Sequence, residues 1–175
     1  MSLLPRLLLH SVSITLIATM PVSAAWKDAP EKDQLTGKIV AMQELAASAP
    51  VHQFGRSVGV RLIIRCDNNY NDREKFKSED YYAVFLLFSQ QVGIGDVLVR
   101  YSFDGGTPTS RTFSLQGRGR AIFLSPFAET HDFEQSLRTA SKLRLQADLP
   151  WAGTPVFEFD TRGAADAFNR VPCGE

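Results

Sequence analysis

The sequence predicts a mainly β fold: an antiparallel β-sandwich with one or two short helices and one disulfide. Three observations carry that prediction. Short apolar runs rich in β-branched and aromatic residues recur between polar, glycine-bearing breaks. Helical periodicity surfaces late and briefly, whereas an α/β sheet would alternate helices with strands. The third observation is the cysteine count, which is two, Cys66 and Cys173, in a chain whose N-terminus carries an export signal.

Composition bounds the function. With 175 residues of which 44% are hydrophobic, the chain is long enough for one domain with a buried core. Basic and acidic residues balance at 19 each, so no global charge excess points to nucleic acid. Two cysteines cannot build a four-cysteine zinc site or a disulfide-dense scaffold.

The first element is a signal rather than a structural segment. Arg6, an apolar run over residues 7–20 and small residues at positions 23–25 follow the order of a secretory signal peptide. We assign residues 1–24 to it, with cleavage after Ala24 or Ala25, and residues 25–175 to a single domain. The apolar run is short for a hydrocarbon core of about 30 Å, and no cysteine follows it to accept a lipid. The expectation is a periplasmic or secreted protein with no stable membrane span. In such an oxidising compartment, Cys66 and Cys173 are expected to pair and tether the C-terminal tail. A loop of about 100 residues closed this way is worth on the order of 4–5 kcal/mol in the chain-entropy model.

Along the mature chain, residues 26–34 are polar and expected to be irregular, and residues 38–45 are consistent with a strand or a short helix. Val60–Cys66 is short, β-branched and bounded by Gly59 and Asp67, which predicts a strand ending at the cysteine. Residues 67–79 are polar and predicted to be a loop, and residues 81–88 a second strand. In residues 96–103, Val97, Val99, Tyr101 and Phe103 share one face by period-two alternation. Asp104-Gly105-Gly106 supplies a turn, with return strands expected over 111–115 and 121–124. The Asp132/Gln135 spacing matches a capping box, and Phe133, Leu137 and Ala140 then share one face of a helix over 133–141. Strands resume over 143–147 and 157–159, joined by a loop through Pro150 and Pro155. A last short helix over 163–169 stops before Pro172. The total is six to eight strands.

Several of these segments resemble a known family. Leu62-Ile-Ile-Arg-Cys66-Asp-Asn-Asn is similar to the first cysteine strand of a group of periplasmic proteins associated with type VI secretion. Val99-Arg-Tyr-Ser-Phe-Asp104 resembles the central strand of that group, residues 133–145 its helix-then-strand unit, and Phe157-Glu-Phe-Asp-Thr-Arg-Gly163 with Cys173 its ending. Asp33-Gln-Leu-Thr-Gly37 is similar to the opening of exported proteins of the invasion-associated locus B type. The resemblance, over roughly residues 60–173, implies an exported accessory β-domain with a terminal disulfide and without catalytic residues.

Chemistry-bearing residues are sparse. His52 and His131 are the mature chain's histidines, in no zinc-ligand spacing. His131 beside Asp132 could serve as an oriented base, but such a pair more often opens a helix. Asp67, Asn69 and Asn71 follow the start of a calcium loop, yet Asp72 and Ser78 stand where glycine and glutamate are required. No catalytic residue, metal site or cofactor is assigned. The binding candidates are Arg118 and Arg120 of the Gly117-Arg-Gly-Arg120 turn, an anion or partner contact because guanidinium forks match carboxylates and phosphates, and Trp151, a loop tryptophan suited to anchor an interface. The alternatives are a solvated turn and a tryptophan folded back on the core. Together they predict a non-enzymatic envelope protein with a protein partner. The second reading is a periplasmic inhibitor or immunity-like protein blocking a hydrolase.

Overall fold

Thirteen strands and two helices are present in the computed structural model, which describes residues 25–32, 39–66, 82–124 and 130–173. The predicted signal peptide, the 33–37 opening, Tyr81 and the 67–79 loop with its calcium-like pattern lie outside the described residues. The strands are β1 (Lys27–Asp28), β2 (Glu31–Lys32), β3 (Ile39–Val40), β4 (Met42–Ala46), β5 (Val51–Gln53), β6 (Arg56–Val58) and β7 (Val60–Cys66). They continue with β8 (Tyr82–Phe88), β9 (Asp96–Phe103), β10 (Thr109–Gln116), β11 (Ala121–Phe123), β12 (Lys142–Ala147) and β13 (Val156–Asp160). The helices are α1 (Thr130–Thr139), between β11 and β12, and α2 (Ala164–Asn169), after β13.

Nine strands form one antiparallel sheet in the order β1-β4-β7-β8-β11-β10-β9-β12-β13, which curls into a sandwich-like body. Strand β10 is the corner. Its first six residues pair with β9, whereas Leu115 and Gln116 pair with Ile122 and Ala121 of β11. The curl brings the two ends of the sheet together: the Ser48 N–H (2.8 Å) and hydroxyl (2.9 Å), just past β4, both donate to the Glu158 carbonyl oxygen of β13.

Alternation explains what the curl encloses. Val60, Leu62 and Ile64 of β7, Val84, Leu86 and Phe88 of β8, and Phe157 and Phe159 of β13 are buried in one core. Val97 and Val99 join them, with Tyr101 and Phe103 packed at the margin. Phe133 of α1 makes edge-on ring contacts with Tyr101 and Phe103, at 5.1 and 5.2 Å between centroids. Phe85 is not part of this core. It lies on the opposite face of the sheet, in a smaller cluster with Ile63, Ala83 and Ala121.

The disulfide forms between Cys66 and Cys173, whose Cα atoms lie 5.3 Å apart. It anchors the tail to the end of β7. Beside it, the Arg138 guanidinium lies 4.0 Å from the Phe168 ring centroid and bonds Glu134 of its own helix, so α1 is fixed against α2. At the foot of β13 the hydrogen bond from exposed Arg162 to Asp160 raises the guanidinium's pKa.

Three local expectations are corrected. Residues 26–32 are not irregular: β1 and β2 form there and Trp26 is buried. Helix α1 begins at Thr130, so Asp132 lies inside its first turn, where its charge favours the helix dipole, rather than at the cap. The strand count exceeds eight because two- and three-residue strands, β1, β2, β3, β5 and β6, carry too few residues to show alternation.

Candidate functional site

The sheet order assigns the connections to two ends. At one end lie the disulfide, both helices and the β9–β10 turn. There Asp104, in the left-handed region at φ 48°, accepts the N–H groups of Ser141 (3.0 Å) and Lys142 (2.9 Å). At the other end four connections gather: residues 47–59 with the β5–β6 hairpin, residues 89–95, residues 117–120 and residues 148–155.

The gathering has a topological cause. Strand β8 pairs with β11, but its chain continues to β9, two strands further on, so residues 89–95 cross over the β10–β11 turn in a Greek-key path. The Val92 N–H donates to the Gly119 carbonyl (2.9 Å), and the Val92 carbonyl accepts the Trp151 N–H (3.1 Å). One residue therefore holds the arginine turn and the tryptophan loop together. The crossing is tight. A side chain at Gly119 would overlap the Gly93 carbonyl oxygen, and a Cβ at Gly93 would lie 2.6 Å from the Pro150 Cδ.

All three sequence-derived binding residues, Arg118, Arg120 and Trp151, thus lie at this end, exposed. The Arg120 Nε reaches the Phe88 carbonyl at 3.3 Å, and Arg118 stands at φ 58° at the tip of its turn. Cys66 and Cys173 belong to the opposite, helical end and serve structure.

Sequence reasoning missed three further exposed apolar residues. Phe54 is 82% exposed, Ile94 67% and Val156 44%, beside Trp151 at 40%. Apart from Ile39, these are the large apolar side chains that the described residues leave exposed, and all four lie at this end. Among the described residues, no ion pair involves Arg56, Arg118 or Arg120. The acids nearby are engaged: Asp96 accepts the Ser114 hydroxyl, and Asp148 lies 3.8 Å from Arg100. The surface is apolar, aromatic and locally cationic, the composition enriched at protein–protein contact centres.

Among the described residues no helix is long and apolar enough to cross a membrane, and no group of three His, Cys, Asp or Glu side chains could hold a metal ion. Comparison with protein-family models, curated proteins and solved structures gives no match.

Proposed function

We propose that this chain is an exported, non-enzymatic binding or assembly accessory of the bacterial envelope, and that its four-loop end meets a partner protein. One observation carries the reading: Arg118 and Arg120, and Trp151 far from them in the sequence, stand on loops joined through the two backbone bonds of Val92. Loops held this way lose little entropy on binding, which favours affinity. Export rests on the signal-like N-terminus and agrees with the disulfide. A role beside type VI secretion rests on the resemblance of residues 60–173 alone.

Inhibition of an envelope hydrolase is the second reading, favoured by the β5–β6 hairpin, which lies at the same end of the sheet as the arginine turn. Capture from periplasmic extract by the wild type, by Trp151→Ala and by Arg118→Ala with Arg120→Ala tests the first. A partner retained by the wild type and lost by both variants supports it, and equal retention by all three refutes it. A tight complex with a lysozyme or protease that stops its turnover would favour inhibition.

A further inference from the structure

Resting on the partner-binding reading, we infer that the β5–β6 hairpin is the insertion element of this surface. Phe54 enters an apolar pocket on a protein partner, and Arg56 and Arg118 meet carboxylates on the rim of that pocket.

The hairpin has a rigid base and a costly tip. Val51 and Val58 are buried in the main core, and the Gly59 N–H and Ser89 N–H bond Ser89 Oγ and the Gly59 carbonyl respectively, at 3.0 and 2.9 Å. The two-residue turn Phe54-Gly55 has φ values of 47° and 73°, the backbone for which Asn-Gly is the usual solution. A bulky residue at positive φ is a genuine outlier, and this one gains little burial in return, because it is the most exposed large apolar residue of the described residues. Just below it the Gln53 Oε1 is buried and accepts no hydrogen bond. Folding alone would select asparagine at position 54. Strain held at an exposed aromatic on a rigid base matches the economics of binding, not of stability.

Charge defines the occupant. Arg56 follows the turn directly, and neither it nor Arg118 has an acidic partner among the described residues. An exposed aromatic at the same end of the sheet as these guanidinium groups complements an apolar pocket with an acidic rim.

Two measurements test this in the full exported chain. Phe54→Asn should weaken the partner captured by the wild type roughly thirtyfold, the size of a hot-spot loss, while the variant melts at the same temperature or higher; Ile39→Asn, at an exposed apolar site elsewhere, should leave affinity unchanged. p-Benzoylphenylalanine in place of Phe54, irradiated in cells, should give a discrete protein adduct whose crosslinked residue lies in a pocket flanked by Asp or Glu. Wild-type affinity in Phe54→Asn, alongside loss in Arg118→Ala with Arg120→Ala, overturns the hairpin's role and leaves the binding reading standing. Unchanged affinity in both variants, or the absence of a protein adduct, overturns both. An adduct to a second copy of the chain, to lipid or to glycan also overturns the inference.

Discussion

Gly119 passes beneath Gly93 with no room for a side chain: a Cβ on Gly119 would overlap the Gly93 carbonyl oxygen. This contact lets residues 89–95 cross the arginine turn. Gly119→Ala should therefore cost about 3 kcal/mol or more, adding displaced backbone to the left-handed penalty at φ +74°. Gly117→Ala carries the same kind of backbone penalty at φ +56° but meets only the Ala121 Cβ at 3.9 Å, so about 1–2 kcal/mol is expected. Denaturant melts of the two variants measure the difference.

Asp104 fastens the β9–β10 turn to the start of β12 by accepting the Ser141 and Lys142 N–H groups. Asp104→Ala leaves both donors unmade at a position with positive φ, and should cost about 2–3 kcal/mol in a thermal or urea melt. Asp104→Asn keeps one acceptor oxygen and tolerates the left-handed region, so its loss should be smaller.

The Cys66–Cys173 bond should make the protein depend on its oxidation state. Alkylation under denaturing conditions should add no label before reduction and two after. Cys173→Ser should lower stability by about 2–5 kcal/mol, with the first loss of hydrogen-exchange protection in α2, which the bond anchors.

Arg138 combines a face contact with Phe168 and a bond to Glu134. Arg138→Lys loses the planar stack and the forked geometry and should cost about 1 kcal/mol. Arg138→Ala should cost more, because the stem's packing goes as well.

What the sequence disclosed followed the length of its signals. Val60–Cys66, Asp96–Phe103 and Lys142–Ala147 are long enough to show composition or alternation, and each forms a strand. Phe133, Leu137 and Ala140 fall on one buried helical face as their spacing requires. The β5–β6 hairpin is not legible in the sequence because each strand has three residues and its turn is Phe-Gly rather than Asn-Gly. Gly55, with Val51 and Gln53 alternating before it and Val58 after it, is the signal that points to it. Arg118 and Trp151 each stood out by residue type and loop context. Their proximity could not be read locally, because it arises from the crossing of residues 89–95 and the pairing of β12 with β9, which join segments far apart in the chain.

Hydrogen exchange with and without the captured partner tests the binding surface most directly. The account predicts new protection in residues 51–59, 89–95, 117–120 and 148–155. Protection confined to α1, α2 and the Asp104 turn, at the opposite end, would contradict it.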